Sequence, residues 1–312
     1  MSKLETTIIT LADVYHNNWK HIGTLLNENP EKVRSIYRRC KSNEVDREQV
    51  KKVSKLEIHN RKRTERVVFI TDQHYPFQDD YTRSIALQIV EEFNPTIVIT
   101  GSDGIDFYAI SDFDKNPERI KSTGLQLEID SWIGGEREWI SVSPNATRYY
   151  IEGNHEDRLR RYLYRHPEVA DLRALQLENL LEFDSLGIEK SINNEVLIGN
   201  LMIKHGTRVN KSSAYSGASE LASEHFQYSI LTGHVHRMGT HFVTTRKGIV
   251  QAQECGCLCK LDVEYANRPN WQQGIVLATV SNESVDIEPI LIHQLNENKR
   301  RAYWRGREYR EQ

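Results

Sequence analysis

The chain has 312 residues, of which 27% are charged and 38% hydrophobic, and its formal net charge is −3. That length is enough for more than one average domain and a sizeable core. No apolar run approaches the ~18–20 residues of a membrane span, and no charged-then-apolar signal pattern is present at the start. Four cysteines are too few for a disulfide framework, so we expect a reducing, cytoplasmic setting and no membrane partner.

The small net charge hides a segregation along the chain. Residues 1–66 carry a net charge of +6 and residues 299–312 one of +4, whereas residues 67–298 carry −13. Basic segments that flank an acidic core favour a polyanionic partner, and we expect that partner to be DNA. Solvated surface that keeps the protein soluble is the alternative explanation.

Residues 1–42 show the pattern of a small all-α domain with three helices. Asn29 and Pro30 suit the cap and the first position of the third helix. Apolar residues recur at the spacing of one helical face in each helix. These residues are Ile8, Leu11 and Tyr15 in the first helix, Trp19, Ile22 and Leu26 in the second, and Val33, Ile36 and Tyr37 in the third.

The other side of the third helix presents Arg34, Arg38 and Lys41 at helical spacing. The unit resembles a helix-turn-helix module, in which one helix enters the major groove, and we assign these three residues to DNA contact. A helical cap that packs on the rest of the chain or mediates oligomers is the alternative. Residues 43–66 are charged and poor in apolar residues, so we treat them as a linker.

From residue 67 onward, strand-like and helix-like segments alternate, as in an α/β fold. Five strand-like runs each end in Asp, Asn or His. Open sheets bind ligands outside the carboxyl ends of their strands, so we expect these side chains to converge on one site. The runs are 67–71 before Asp72 and His74, 96–100 before Asp103, 149–151 before Asn154 and His155, 201–204 before His205, and 229–232 before His234 and His236.

Seven of these residues are candidate metal ligands that offer only oxygen and nitrogen donors. This donor set suits Mn, Fe, Zn or Mg better than a structural zinc site, and we expect Mn first. Seven ligands are too many for one tetrahedral ion and suit two divalent ions that share a bridging carboxylate. The seven are Asp72, His74, Asp103, Asn154, His205, His234 and His236.

The ordered blocks Asp-x-His, Asp, Gly-Asn-His-Glu, His and Gly-His-x-His resemble the calcineurin-like metallophosphoesterase superfamily over residues 67–240. The resemblance implies a four-layer αββα sandwich that extends to about residue 295. The family usually has glycine directly before the aspartate of its second block, where this chain has Ser102. Because Asp106 keeps the family's Asp-x-x-Asp spacing, the resemblance makes Asp103 the bridging ligand and puts Asp106 behind the ligands. It also makes His155 a residue beside the phosphate that assists the leaving oxygen.

Together these expectations define a function. The pKa of a water bound to such metal ions falls to roughly 7, so hydroxide is available for attack on phosphorus. Arg158, the arginine that follows most closely after His155, is the expected phosphate contact. We expect phosphodiester hydrolysis, with DNA as the substrate. A phosphatase or phosphodiesterase acting on nucleotides or phosphoproteins is one alternative, and a DNA-binding regulator that keeps the fold as a scaffold is another.

Three remaining segments are assigned from their composition. The leucine-rich residues 172–186 are expected to be helical and to join the core. Cys255, Cys257 and Cys259 are too closely spaced for a zinc site, and on one strand they would share a buried face. Residues 296–312 interleave aromatic and basic side chains, which suits nucleic-acid contact or an arm docked on a neighbouring subunit, so we set them apart as a tail.

Overall fold

The computed structural model describes residue 26 and residues 28–37, 64–117, 123–262 and 269–311, and the chain forms two compact units, Met1–His59 and Asn60–Gln312. In the first unit, residues 30–37 are helical, and Oδ1 of Asn29 accepts a hydrogen bond from the Glu31 N–H at 2.9 Å. Asn29 therefore occupies the cap position expected from the sequence. Arg34 lies half-buried in this helix, whereas Arg38, Lys41 and residues 1–25 lie outside the described residues.

The second unit is a mixed α/β structure with two sheets, as the strand-like runs predict. Its strands are β1 (Glu65–Phe69), β2 (Ile97–Gly101), β3 (Thr147–Ile151), β4 (Ile188–Lys190), β5 (Glu195–Ile198), β6 (Leu201–Lys204), β7 (Ser229–Thr232), β8 (Met238–Thr245), β9 (Gly248–Cys255), β10 (Gly274–Val280), β11 (Val285–Asn296), β12 (Lys299–Trp304) and β13 (Arg307–Arg310). The larger sheet has the order β13-β12-β11-β10-β1-β2-β3-β4, and the smaller has the order β5-β6-β7-β9-β8. β1 to β4 run parallel to one another, as do β6, β7 and β9.

In the described part of this unit, four longer helices accompany the sheets: α1 (Asp80–Phe93), α2 (Leu125–Val142), α3 (Glu156–Arg165) and α4 (Tyr215–Ser223). Asp79 caps α1, since its side chain accepts a hydrogen bond from the Thr82 N–H at 2.8 Å. Among the described residues, no helix is both long and apolar enough to cross a membrane.

Alternating side chains of β1 divide the core into layers, because successive residues of a strand point to opposite faces. Val67 and Phe69 pack between the two sheets, against residues of β5, β6 and β7. Val68 and its neighbour Ile70 pack on the other face, among buried residues of α1. The smaller sheet buries its outer face against Leu221 of α4. Helices thus cover both outer faces of two stacked sheets, the layering expected of an αββα sandwich.

Residues 172–186 do not form the single helix expected from their leucines. They form three short turns of helix, Arg173–Leu175, Leu177–Leu180 and Phe183–Leu186, and Glu182 between the last two has a φ of 53°. A left-handed residue cannot continue a right-handed helix. Leu177, Leu181 and Phe183 are nevertheless buried, so the segment contributes to the core as expected.

Residues 299–310 are strands of the larger sheet, which corrects their assignment to a separate tail. β12 pairs with β11 and β13 pairs with β12. Trp304 and Tyr309 are buried in the cluster that contains Phe93 of α1. Two of the three aromatic residues in this segment, Trp304 and Tyr309, therefore belong to the core, and Tyr303 is exposed.

Candidate metal centre

The predicted ligands follow the carboxyl ends of five strands, and the fold brings those ends together. β1, β2 and β3 are parallel neighbours in the larger sheet, and β6 and β7 are parallel neighbours in the smaller one. All seven side chains lie within two groups that share Asp103, described below. The convergence follows from topology, since parallel strands end at one edge of a sheet.

The backbone around the ligands is strained. Asp72, His74, Asp103, His234 and His236 all have φ between 51° and 72°, a region that few residues other than glycine adopt. Such residues persist where the surrounding structure fixes them, and they cluster at functional sites.

Two glycines allow the loops of the centre to approach one another. A Cβ atom on Gly153 would lie 2.2 Å from Oδ1 of Asp103, and one on Gly233 would lie 2.5 Å from Oδ2 of Asp72. Either contact is impossible without moving the carboxylate. The glycines of the Gly-Asn-His-Glu and Gly-His-x-His blocks are therefore needed for close packing.

The first group of donors consists of Asp72, His74 and His236, all buried. Nε2 of His74 lies 3.0 Å from Nε2 of His236, which lies 3.1 Å from Oδ1 of Asp72. Two ligand nitrogens that coordinate one ion at about 2.1 Å and at right angles are separated by about 3 Å. The spacing therefore fits donors that face a single ion.

The second group consists of Asn154, His205 and His234, with Asp103 beside them. Nε2 of His205 lies 2.9 Å from Oδ1 of Asn154, 3.1 Å from Nδ1 of His234 and 3.4 Å from Oδ2 of Asp103. A carboxylate oxygen of Asp103 also lies within 4.8 Å of ring nitrogens of His74 and His155, so Asp103 is close to donors of both groups.

Hydrogen bonds on the far side of two imidazoles fix which nitrogen faces the centre. Nδ1 of His74 faces Oδ2 of Asp106 at 3.1 Å, and Nδ1 of His205 faces Oγ of Ser102 at 2.7 Å. With the ring protons placed on these Nδ1 atoms, both Nε2 atoms present lone pairs to the centre. Burial, reinforced by neighbouring histidines, lowers the pKa of His74 and of His234, so these rings are neutral.

The centre is therefore crowded with acceptors. Around Nε2 of His205, the amide oxygen of Asn154 and the carboxylate of Asp103 can offer only further lone pairs. Burial raises the pKa of Asp103, but His205 and His155 outweigh it, and the pKa is lowered overall. A close array of lone pairs around a buried, ionised carboxylate is stabilised by cations, so the residues present fit divalent metal ions.

Asp106 joins the metal centre to His155 and Arg158. Its Oδ2 lies 3.1 Å from Nδ1 of His74 and 3.2 Å from Nδ1 of His155. Arg158 donates from Nη1 to Oδ1 of Asp106 at 2.7 Å, and its Nη2 lies 3.1 Å from Nε2 of His155. Burial lowers the pKa of His155, but the carboxylates of Asp103 and Asp106 outweigh it, and the pKa is raised overall.

Ser102 links the two groups of ligands, a role that the sequence did not reveal. It accepts from Nδ1 of His205, its Oγ lies 2.8 Å from Oγ1 of Thr71, and Oγ1 of Thr71 donates to Oδ2 of Asp72 at 2.6 Å. All of these groups are buried. The two buried hydroxyls therefore connect the ring of His205 to the carboxylate of Asp72.

Glu156 is a second residue whose role emerges only in three dimensions. Its carboxylate accepts hydrogen bonds from the N–H groups of Asp103, Gly104 and Gly153 at 3.2, 2.9 and 2.7 Å, and from the Tyr150 hydroxyl at 2.7 Å. It thereby ties the loop after β2 to the loop after β3. The Glu of the Gly-Asn-His-Glu block thus holds the loop that carries Asp103.

The three cysteines are free and buried, but they do not share one strand. β9 ends at Cys255, and Gly256 has a φ of 73°. Cys255 packs between the sheets, whereas Sγ of Cys259 lies 3.9 Å from Nδ1 of His236. Cys259 therefore contacts a predicted metal ligand, whereas the sequence suggested only a packing role for this cysteine.

No protein-family model matches the chain, and no curated protein matches it at the significance applied. Solved structures similar to it include wild-type Vps29 of Entamoeba histolytica complexed with Zn²⁺, with 11% identity, a TM-score of 0.36 and coverage of 79% of this chain and 97% of that one. Vacuolar protein sorting 29 of Cryptosporidium parvum has 13% identity, a TM-score of 0.36 and coverage of 79% and 95%. Vps29 of Chaetomium thermophilum has 11% identity, a TM-score of 0.40 and coverage of 79% and 93%.

We predict that Ser102→Gly weakens metal binding at the group that contains His205. The substitution removes the hydroxyl without backbone strain, because glycine tolerates the φ of 52° at this position. Loss of a partner that orients a metal-ligating histidine typically costs about 10–100-fold in affinity. Calorimetric titration of the metal-free protein with Mn²⁺ measures the change.

Ser229→Gly is the matched control, since Ser229 is a buried serine whose hydroxyl accepts from the Gln251 N–H far from the centre. It should leave both Mn²⁺ affinities unchanged. Equal affinities in wild type and Ser102→Gly would show that Ser102 does not orient His205.

Proposed function

We propose that this protein is a phosphoesterase that depends on two divalent metal ions and hydrolyses phosphodiesters, with DNA as its substrate. The observation that carries the proposal is a pair of neighbouring donor groups, one of them fully buried, with about 3 Å between neighbouring donor atoms and the carboxylate of Asp103 close to both. Such a two-ion centre serves in-line displacement at phosphorus, in which both the attacking and the leaving oxygen need stabilisation.

Each ion has a defined set of protein ligands in this proposal. Asp72, His74 and His236 hold the first ion, Asn154, His205 and His234 hold the second, and Asp103 is common to both. Mn²⁺ fits this mixture of imidazole and oxygen donors best, with Fe, Zn and Mg as the other candidates. When bound, the ions supply a hydroxide nucleophile at neutral pH and neutralise charge on the phosphate.

His155 is the proposed general acid. Its Nδ1 is held by Asp106, so the opposite nitrogen, Nε2, is the atom that can carry a proton to a leaving oxygen. The raised pKa of His155 favours the protonated ring that this role requires.

Arg158 is the proposed phosphate contact, and its state is linked to that of His155. In this structure its guanidinium faces the lone pair of Nε2 of His155 at 3.1 Å. Protonation of Nε2 removes the lone pair that Arg158 contacts. We therefore expect Arg158 to turn toward the phosphate when His155 is protonated. A planar guanidinium suits two phosphate oxygens.

DNA is proposed as the substrate because of the charge distribution along the sequence. An acidic segment that carries the centre is flanked by segments of net charge +6 and +4. Positive segments attach a protein to the phosphate backbone in a sequence-independent way. Nucleotides and phosphoproteins remain the alternative substrates, since the same centre serves monoesters and diesters.

The function is tested by hydrolysis of two phosphodiesters that differ in their leaving group. Mn²⁺-loaded protein should hydrolyse a nitrophenyl diester and single-stranded DNA. His155→Ala should reduce the DNA reaction more than the nitrophenyl reaction, by a ratio of roughly tenfold or more within the ~10²–10⁴ range for acid catalysis. The reason is that nitrophenolate leaves without a proton, whereas a deoxyribose alkoxide needs one.

His166→Ala, at the end of α3, is the matched control and should change neither rate, since His166 contacts the exposed Glu168. Metal content is measured for each variant by elemental analysis. Equal losses on both substrates at unchanged metal content would reject the role as an acid. Absence of turnover on every ester with every metal would reject the proposed phosphoesterase activity.

The role of the first unit is tested separately. Replacing Arg34, Arg38 and Lys41 by Ala in the full chain should weaken DNA binding and flatten its dependence on salt, by about 0.9 in the logarithmic slope for each lost phosphate contact. Nitrophenyl diester hydrolysis should be unchanged. DNA affinity is measured by fluorescence anisotropy at a series of salt concentrations.

The control replaces Arg137, Arg246 and Lys247 by Ala, which removes the same number of charges. These three are exposed residues of the second unit. Equal effects of the two triple variants would mean that net charge alone governs binding. That outcome would assign the first unit to capping or oligomerisation.

A further inference from the structure

A cavity of about 460 Å³ opens beside the centre, and its far walls are aromatic. His74 and His155 line it together with the aromatic residues Phe77, Tyr108 and Phe113. Its volume lies within the range of about 300–1,000 Å³ found for small-molecule sites. The cavity is therefore large enough for one group attached to a phosphate held at the centre.

Two of the aromatic side chains are held firmly in place. The backbone N–H groups of Tyr108 and Ala109 donate to the carboxylate of Glu128, both at 2.8 Å. The ring of Phe77 meets the ring of Tyr108 edge to face, with centroids 5.4 Å apart. These rings form a fixed platform, which reduces the entropy lost when a ligand is bound.

Phe113 is the exposed member of this aromatic group, with 74% of its surface accessible. Its ring lies 5.7 Å from the guanidinium carbon of Arg158, the proposed phosphate contact. A phosphate near Arg158 therefore has an open aromatic face next to it. A group that covers this exposed ring removes apolar surface from water, which is favourable.

The charged groups at the cavity favour a nucleobase over an aliphatic chain. Arg158 and Lys260 add cations, Asp106, Asp114 and Asp262 add carboxylates, and Ser111 adds a hydroxyl. A lipid chain gains nothing from these groups, whereas a base presents both a π-face and polar edges. Base stacking on aromatic side chains occurs with every base.

We infer that this aromatic pocket, defined by Phe77, Tyr108 and Phe113, binds one unpaired nucleobase next to the phosphodiester that is cleaved. The inference rests on the proposed function and narrows its substrate to single-stranded DNA, strand ends or small nucleotide esters. A duplex, whose major groove alone is about 12 Å wide, cannot enter a cavity of this volume. A base must leave the stack to reach the pocket, as in other enzymes that act on extruded bases.

The test compares esters that share one leaving group. Thymidine 5′-(4-nitrophenyl) phosphate and methyl 4-nitrophenyl phosphate differ only in the nucleoside, and phenyl 4-nitrophenyl phosphate supplies an aromatic group that is not a base. Wild-type protein should show the highest kcat/KM for the thymidine ester. Phe113→Ala should raise KM for that ester by about tenfold more than KM for the methyl ester, the range expected for one stacking contact.

Two further variants make the result specific. Phe113→Tyr keeps a stacking ring and should retain the low KM. Phe242→Ala, on β8 in the other sheet and also exposed, is the matched control and should behave as wild type.

A binding measurement separates this inference from the proposed function. By calorimetry, thymidine 5′-monophosphate should bind the Mn²⁺-loaded protein more tightly than deoxyribose 5-phosphate, and Phe113→Ala should remove the difference. If no ester is hydrolysed but this difference is found, the proposed function fails and the pocket stands. Hydrolysis without any preference for the thymidine ester, or an equal preference for the phenyl ester, would overturn the nucleobase pocket.

Discussion

In the described part of the chain, the second unit depends on a close cluster of ring nitrogens, an amide oxygen and carboxylates that lie about 3 Å from one another. Nε2 of His205 is surrounded at 2.9–3.4 Å by an amide oxygen, a second imidazole nitrogen and a carboxylate. Buried acceptors that face one another are costly, because each loses its hydrogen bonds to water. Divalent ions remove that cost, and the proposed chemistry uses the same ions. The folding and the function of this region are in that way linked through metal binding.

The rest of the second unit serves to keep these acceptors together. Five strand ends supply the positions, and glycines at 153 and 233 let the loops touch. Glu156 ties the backbone of two loops together, and Ser102 and Thr71 connect one ligand group to the other. The positive φ values of the ligands show that these positions are imposed by the surroundings. The same loops then leave a cavity beside the centre in which aromatic rings lie next to the proposed phosphate contact.

Local sequence signals predicted the parts of this arrangement that depend on strands. β6 and β7 have the predicted bounds, and β1 ends two residues earlier than the strand-like run, at Phe69. The contact between Ser102 and His205 could not be predicted, because it joins β2 of one sheet to β6 of the other. The burial of Trp304 was not predicted either, since its basic neighbours suggested a segment that contacts nucleic acid or a neighbouring subunit. Nor does any spacing link Phe77 with Phe113, which come from separate loops and meet only through the fold.

The central claim is that one carboxylate, that of Asp103, joins two metal ions, and metal stoichiometry tests it most directly. Elemental analysis of Mn²⁺-loaded protein after removal of free metal should approach two ions per chain in the wild type. Asp103→Asn should lose much of both, because the amide is neutral and removes the shared anion, whereas Asp106→Asn should keep two ions. Full occupancy in Asp103→Asn, or a wild type that never exceeds one ion, would contradict the account.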